Sequence, residues 1–178
     1  MRIISGSHKG RRIQPPKKLP VRPTTDMAKE GLFNILSNGI DFDNTKALDL
    51  FSGTGNISFE LASRGVTNIV AIDKTPACIA FIAKTAESFG FNIEVRTMEV
   101  MRYLEKEIRQ FDLIFADPPY EFSKEQFFSI VDKTVARQVL KEEGLLIIEH
   151  SKHTDLSEHP YFDNKRAYGH SVFSFFRQ

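Results

Sequence analysis

The stretch Asp49-Leu-Phe-Ser-Gly-Thr-Gly55 decides the fold of this chain. It begins within an apolar run at 47–51 and precedes a segment with helical spacing at 57–64, so two glycines stand where a predicted strand turns sharply into a helix. A second apolar run ends in Asp73, whose carboxylate is placed to accept two hydrogen bonds from a ribose diol. This order favours a nucleotide-type ligand over the alternative, a tight turn with Asp73 as a helix cap.

Apolar runs of strand length alternate with helical stretches over most of the chain, which is the pattern of a parallel sheet with crossover helices. After residue 149 the alternation ends, and two apolar runs are separated only by Tyr168-Gly169, which predicts an antiparallel hairpin at one sheet edge. We therefore predict an α/β fold with a mostly parallel, seven-stranded sheet. The predicted strands are 47–51, 68–73, 92–96, 113–116, 145–149, 161–166 and 171–176; the predicted helices are 57–64, 76–89, 100–108 and 124–141, after a first helix that Thr24, Thr25 or Asp26 caps and Asn38-Gly39 ends.

The glycine turn departs from a dinucleotide-binding fingerprint at two positions. That fingerprint has Gly or Ala where Ser58 stands. Asp49, two residues inside the strand end, adds an acceptor that suits an ammonium group better than a pyrophosphate. A cofactor with an amino-acid end therefore fits this turn better than a dinucleotide does.

A second motif, Asp117-Pro-Pro-Tyr120, follows the fourth predicted strand. Its prolines remove two backbone donors, so the loop presents acceptors beside an aromatic ring. The Asp117 carboxylate and the Pro118 carbonyl suit the two N–H donors of a planar exocyclic amine, and Tyr120 can stack on the base that carries it. Holding both hydrogens favours charge development on the nitrogen as it attacks an electrophile. Taken alone, the motif would fit a rigid turn with a half-buried tyrosine equally well.

The two motifs together resemble those of S-adenosylmethionine-dependent methyltransferases of the Rossmann-like class I, and the second resembles their amino-methylating branch. The whole chain is similar to the bacterial guanine-N2 methyltransferases of small-subunit ribosomal RNA. Glu99 stands where that family usually has Asp, and Met27 where it usually has a basic residue. The other stretches that carry the resemblance are Arg2-Ile-Ile-Ser-Gly6, Lys9-Gly-Arg-Arg12, Arg22-Pro-Thr-Thr-Asp26, Leu32-Phe-Asn-Ile-Leu36 and Tyr168-Gly169.

The resemblance implies S-adenosyl-L-methionine as the cofactor and methyl transfer to the N2 amine of a guanine in 16S ribosomal RNA. It also implies that the segment 22–26 covers the methionine end of the cofactor. A short chain is expected to read a shape built by folded RNA and bound protein, in an assembled or assembling ribosomal subunit. The expected catalytic residues are Asp117, Pro118, Pro119 and Tyr120, and the expected cofactor-binding residues are Asp49, Phe51, Ser52, Gly53, Thr54, Gly55, Asp73, Lys74, Met98, Glu99 and Thr24.

The formal net charge of +1 conceals a segregation of charge along the chain. Residues 1–25 hold seven basic residues and no acidic one, so they carry +7 while the remainder carries −6. Short predicted strands at 2–5 and 11–14 make this segment a basic β-hairpin, and a proline-rich linker follows it. The asymmetry favours an arm that binds polyanion over one that is merely solvated. The expected RNA-binding residues are Arg2, Lys9, Arg11, Arg12, Lys17, Lys18 and Arg22.

Length and composition bound the class of protein. The 178 residues allow one compact domain, which we place at 24–178 after the hairpin and linker at 1–23. No apolar run approaches the roughly 18 residues that span a bilayer, and the N-terminus lacks a signal-peptide stretch. The single cysteine, Cys78, excludes internal disulfides and a Cys-based zinc site. We expect a cytoplasmic monomer that binds neither a membrane nor a metal.

Four alternative functions remain open from the sequence. A DNA adenine or cytosine amino methyltransferase shares Asp-Pro-Pro-Tyr, but it normally carries a target-recognition insert that this length does not allow. A protein glutamine methyltransferase usually has Asn where Asp117 stands. An NAD-dependent oxidoreductase is disfavoured by Ser58, and a non-catalytic RNA-binding module would leave both motifs unexplained.

Overall fold

The computed structural model describes residues 1–16, 19 and 24–178. Three residues for which we expect RNA contacts, Lys17, Lys18 and Arg22, lie outside the described residues, as does part of the segment 22–26. The described residues form a seven-stranded sheet with helices on both faces, which confirms the predicted α/β class.

The sheet is mostly parallel and reverses its strand order beside the first strand. Its strands are β1 (Lys46–Leu50), β2 (Asn68–Asp73), β3 (Ile93–Thr97), β4 (Phe111–Ala116), β5 (Leu140–Ser151), β6 (Phe162–Tyr168) and β7 (Ser171–Phe176). The spatial order is β3-β2-β1-β4-β5-β7-β6. Strands β1 to β5 pair in parallel, and β7 lies antiparallel between β5 and β6, as the C-terminal hairpin predicts. Ligands of such open sheets bind in the crevice at the point where the order reverses, here between β1 and β4.

Five helices cover the two faces of the sheet in the described residues: α1 (Asp26–Leu36), α2 (Asn56–Ser63), α3 (Pro76–Phe89), α4 (Val100–Lys106) and α5 (Lys124–Ala136). Successive strand residues point to opposite faces, so alternate apolar residues enter two different clusters. Helices α1 and α2 bury their apolar stripes against one face, and α4 and α5 against the other. No helix within the described ranges is long and apolar enough to cross a membrane.

The predicted helix 124–141 is too long. Helix α5 ends at Ala136, and Gln138 adopts a positive φ of 54°, which breaks helical geometry. Leu140 then pairs with Phe111 at the start of β4, so these apolar residues complete the sheet instead of a helix. Tertiary strand pairing overrides a helical pattern here, because Leu140 is buried by the sheet.

The N-terminal pairing is shorter than the predicted hairpin of two strands. One antiparallel bridge joins Arg2 and Arg12, and the Ile3 carbonyl next to it accepts from Gly10 N–H at 2.9 Å, where a regular ladder would use Arg11 N–H. Ile4 N–H and Ser5 N–H donate to the two carboxylate oxygens of Glu60 in α2, at 2.7 and 3.1 Å. The turn therefore begins directly after this bridge, and the Glu60 carboxylate ties the hairpin to α2.

Apolar contacts also anchor this N-terminal hairpin. Ile3 and Ile13 are buried in one cluster with Phe59 of α2 and Ile79 of α3. Full burial of such a side chain contributes about 1.5–3 kcal/mol, which offsets the cost of ordering the hairpin. Gly6, with φ +85°, allows the turn to approach the end of α2, where a Cβ would lie 1.8 Å from the carbonyl oxygen of Ser63.

Candidate active site

A cavity of about 770 Å³ lies where the strand order reverses, at the carboxyl ends of β1 and β4. The glycine turn after β1 and the Asp-Pro-Pro-Tyr loop after β4 both reach it. A second cavity, of about 240 Å³, lies near the amino ends of the strands, and its lining among the described residues includes no predicted site residue. The predicted residues that line the larger cavity are Thr24, Asp49, Phe51, Ser52, Gly53, Thr54, Asp73, Lys74, Glu99, Asp117, Pro118, Pro119 and Tyr120.

Two predicted cofactor residues stand behind this lining. Gly55 is the N-cap of α2 and has a φ of +78°, and a Cβ there would lie 2.9 Å from Ile82 and 3.0 Å from Phe59. Glycine is thus required for the close packing of the turn. Met98 is partly buried and packs against the core.

The glycine turn and the end of β2 are tied together by Asp73. Its carboxylate accepts hydrogen bonds from Gly53 N–H at 2.9 Å and from Thr75 N–H at 2.8 Å. Each carboxylate oxygen retains further acceptor capacity toward the cavity. Asp73 therefore holds the turn in place and can still accept hydrogen bonds from a ligand diol.

Asp49 is a buried acid in the wall of the cavity, and Ser58 holds it. Ser58 donates to it twice, from its hydroxyl at 2.5 Å and from its backbone N–H at 3.2 Å. Burial raises the pKa of Asp49 to about 7, and the two Ser58 hydrogen bonds oppose this shift. A cation placed beside Asp49 would stabilise its charged form. Ser58 and Asp49, the two residues that depart from the dinucleotide-binding fingerprint, are therefore hydrogen-bonded to each other.

Ser52 supplies an independent sign of a ligand. Its side chain is buried, yet its hydroxyl oxygen has no hydrogen-bond partner among the described residues. Buried polar groups are nearly always hydrogen-bonded, because leaving one unpaired costs about 1–3 kcal/mol. The hydroxyl belongs to a residue that lines the cavity, so a polar ligand there would satisfy it.

The reaction loop begins at Asp117, whose N–H donates to the carbonyl of Leu50 in β1 at 3.3 Å. Burial is the main cause that raises the pKa of Asp117 well above its ordinary value, and the charges of Glu149 and Asp49 raise it further. Pro118 is buried while Pro119 is exposed. The Asp117 carboxyl is therefore shielded from water and lies near other acids, and both effects favour its protonated form.

Aromatic rings flank this loop. Tyr120 is 49% exposed at the mouth of the cavity. Phe51 and Phe122 meet edge to face, with ring centroids 5.7 Å apart, and both also pack against the core. These rings are perpendicular to each other and give the cavity apolar faces, on one of which a planar base could stack.

Glu99 has a structural role that its sequence position did not reveal. Its carboxylate accepts a hydrogen bond from Arg102 N–H at 2.9 Å and so caps α4. It also lines the cavity.

Sequence reasoning missed a buried polar chain that closes one side of the site. The Thr24 hydroxyl donates to Glu149 at 2.6 Å, and Asn56 donates through its side-chain amide to the Thr24 carbonyl at 2.9 Å. Lys29 in turn donates to the Asn56 side chain at 2.8 Å. The sequence did contain one signal for Glu149, which ends its predicted strand just as Asp73 ends another. The other lining residues that went unpredicted are Asn56, Ile57, Thr75, Val100, Phe115, Glu121, Phe122 and Gln126.

The basic hairpin lies next to the glycine turn. The Thr54 hydroxyl donates to the sulfur of Met1 at 3.7 Å. Arg2 pairs with Asp26 at 3.6 Å, and the side chains of Lys9, Arg11 and Arg12 are exposed. The amino-terminal end of the hairpin therefore reaches the glycine turn, while its own turn lies at the other end of α2, where Ser7 N–H donates to the Ser63 carbonyl at 2.7 Å.

A sheet reversed between β1 and β4, with an acid-rich cavity at the reversal, defines a Rossmann-like class I methyltransferase that uses S-adenosylmethionine. More narrowly, the chain belongs to the family described as "Conserved hypothetical protein 95", whose model it matches over residues 1–177.

Named relatives agree with this membership. The chain is 32% identical over 164 residues to the "Putative rRNA methyltransferase YlbH" of Bacillus subtilis, covering 89% of this chain and 86% of that protein. It is also 32% identical over 158 residues to the ribosomal RNA small subunit methyltransferase D of Haemophilus influenzae, covering 85% and 79%. The solved structure of the "Putative methyltransferase yhhF" from Escherichia coli superposes with a TM-score of 0.86 at 25% identity, covering 100% of this chain and 97% of that one.

Proposed function

We propose that this protein transfers a methyl group from S-adenosylmethionine to the exocyclic N2 amine of a guanine in small-subunit (16S) ribosomal RNA. The observation that carries the proposal is the presence of Asp117 and Pro118 in the same cavity as the glycine turn. Because both prolines of the loop lack an N–H, the loop offers acceptors to a base amine that carries two N–H donors. The relatives named as ribosomal RNA methyltransferases support RNA as the substrate.

The cavity fits S-adenosylmethionine at three separate groups. Asp73 suits the ribose diol, Asp49 suits the ammonium of the methionine end, and the unpartnered Ser52 hydroxyl suits a polar atom of the ligand. When bound, the cofactor supplies an electrophilic methyl group on a sulfonium. Glu99 and Lys74 line the part of the cavity that follows β2 and β3, where an adenosine would extend.

The chain's own residues would then prepare the amine. A base amine is a poor nucleophile because its lone pair is conjugated into the ring. Asp117 and the Pro118 carbonyl accept its two hydrogens, which favours positive charge on the nitrogen as it attacks. As the nitrogen–carbon bond forms and the carbon–sulfur bond breaks, one N–H proton becomes surplus. Asp117, whose pKa is raised by burial, is the base positioned to take that proton.

RNA would reach the site along the basic hairpin. The hairpin reaches the glycine turn through Met1 and carries exposed cations, so phosphate contacts along it would help to hold an extruded guanine near Tyr120. A folded RNA surface within a ribosomal subunit remains our expected substrate, and a cytoplasmic, monomeric protein remains our prediction.

A methylation assay with a labelled methyl donor tests the proposal. The protein is incubated separately with bare 16S RNA, assembled small subunits, double-stranded DNA and release-factor protein, and the labelled product is digested to nucleosides or amino acids. We expect N2-methylguanosine from the RNA or the subunits. Label on adenine or cytosine, or on protein alone, would overturn the assignment.

A further inference from the structure

Strand register places a second carboxylate beside Asp117. Ala116 of β4 pairs with Ile148 of β5, so Asp117 and Glu149 take the next positions on adjacent parallel strands. Asp49 pairs with Phe115, two residues before Asp117. Because side chains alternate across a sheet, Asp49, Asp117 and Glu149 project from the same face.

Glu149 lies on the side of this row toward β7. Its side chain is buried, and it does not belong to the lining of the cavity among the described residues. The Thr24 hydroxyl donates to it at 2.6 Å, and the Ser171 side chain of β7 lies close to it. A buried carboxylate beside another acid is costly to keep, and here it lies directly behind the acid that faces the cavity.

We propose that Glu149 is a positioning residue for methyl transfer, whose carboxylate acts on Asp117 from the adjacent strand and holds Thr24 against the cavity wall. This inference rests on the proposed function, because in it Glu149 acts on Asp117, the residue that would receive the amine proton. The residue is not expected to touch the base or the cofactor itself.

Two neighbouring carboxylates would assist the removal of a proton during methyl transfer. Methyl transfer to an amine leaves one proton to remove: the N–H bond breaks and the proton goes to the carboxylate that accepted that hydrogen bond. The pair must be ionised before the amine proton arrives; because two neighbouring carboxylates cannot both stay ionised easily, the ionised pair takes up one proton readily and titrates as a pair. The negative charge of Glu149 therefore makes Asp117 a stronger base than an isolated aspartate would be.

Acids and hydroxyls face Asp117 from the elements that pack around it. Glu149 on β5 and Asp49 on β1 are the charges that raise the pKa of Asp117, after burial. The neighbouring segments before α1 and at the start of β7 contribute hydroxyls, from Thr24 and Ser171. Because Glu149 is a like charge next to Asp117 on the adjacent strand, removal of the Glu149 charge should lower the pKa of Asp117.

The test replaces Glu149 by glutamine, which keeps the size and an acceptor for Thr24 but removes the charge. The Asp117 carboxyl is followed by ¹³C NMR in apo protein with labelled aspartate, and is assigned by its loss in Asp117→Asn. We expect its titration midpoint in Glu149→Gln to fall by about one pH unit or more. The acid limb of the pH dependence of kcat should move down with it, while KM for the cofactor stays close to that of the original protein.

A remote buried acid provides the matched control. Glu107 is buried near the amino end of β4 and accepts a hydrogen bond from Tyr103. Glu107→Gln should leave the titration midpoint of Asp117 unchanged. If Glu149→Gln does not fold, Thr24→Val serves instead; it removes the 2.6 Å hydrogen bond to charged Glu149, so the shared proton stays longer on Glu149 and the Asp117 midpoint again falls.

Two failures remain distinguishable. An unchanged Asp117 titration in the folded Glu149 variant overturns the role of Glu149, even if the original protein methylates guanine. A shifted titration with no guanine methylation by the original protein overturns the proposed function. A loss of activity that appears only as a higher KM for the cofactor also rules out this role for Glu149.

Discussion

The ammonium of Lys29 in α1 lies 3.6 Å from the carboxylate of Glu60 in α2, and both side chains are almost fully buried. Lys29 also donates to the carbonyl of Arg2 at 2.7 Å, while Glu60 accepts from the N–H groups of Ile4 and Ser5. This buried pair therefore joins the N-terminal hairpin to the two helices that flank the glycine turn.

We predict that Glu60→Gln lowers the free energy of unfolding by about 3–5 kcal/mol, because it leaves the Lys29 ammonium buried without its counter-charge. Urea denaturation measures the loss, and hydrogen exchange at Ile4 and Ser5 should accelerate. The matched control is Glu105→Gln, which breaks an exposed pair with Lys133 and should cost far less. Equal losses in the two variants would contradict a special role for the buried pair.

Asp49→Asn should stabilise the apo protein above neutral pH and weaken cofactor binding at the same time. The pKa of Asp49 is about 7 in the folded state against 3.8 as the reference, so the folded state holds its proton more tightly than the unfolded chain. Stability from this group is present below pH 3.8 and is lost as pH rises to about 7. Thermal unfolding at a series of pH values should show the stability of the variant rising relative to that of the original protein between pH 3.8 and about 7. A constant difference at all pH values would show that Asp49 does not titrate there.

Asp73→Ala should act on cofactor affinity before it acts on turnover. It removes the acceptor for Gly53 N–H and Thr75 N–H as well as the proposed ribose contact. Loss of hydrogen bonds to a charged group costs about 1.5–3 kcal/mol, so calorimetry should show the Kd for the demethylated cofactor rising by about 10- to 100-fold. Unchanged affinity would remove Asp73 from the cofactor site.

Asp117→Asn should show the reverse pattern. The amide cannot take the amine proton and offers a weaker acceptor, so single-turnover methylation should slow by about 100-fold or more. Calorimetric affinity for the cofactor should stay near that of the original protein, because we propose that Asp117 contacts the amine and not the cofactor. Full turnover in this variant would refute the role assigned to the loop.

Replacement of the exposed Arg11 and Arg12 by glutamine should weaken RNA binding and reduce its salt dependence together. For every phosphate that the protein no longer neutralises, the slope of log K against log salt should become shallower by about 0.7–0.9. Binding titrations at several salt concentrations measure this slope. Lys133→Gln, on α5, is the control and should leave the slope unchanged; an equal effect there would mean that the hairpin has no special role in binding RNA.

Much of the fold was predictable because its signals are local. The glycine turn, the strand ending at Asp73 and the antiparallel C-terminal hairpin follow from spacing and periodicity over short windows. The end of α5 was not predictable in this way, because Leu140 leaves a helical pattern to pair with Phe111. The hydrogen bonds that tie the N-terminal hairpin to Glu60 were likewise not predictable, because Glu60 lies far away along the chain.

The sequence by itself determined the order of strands and helices, the two loops that meet at the cavity and the separation of basic arm from acidic body. Only the tertiary structure decided that Glu149 lies beside Asp117 and bonds to Thr24, 125 residues away along the chain. The physical reason is that strand register and helix packing join residues across the sheet, and neither leaves a periodic trace in the sequence.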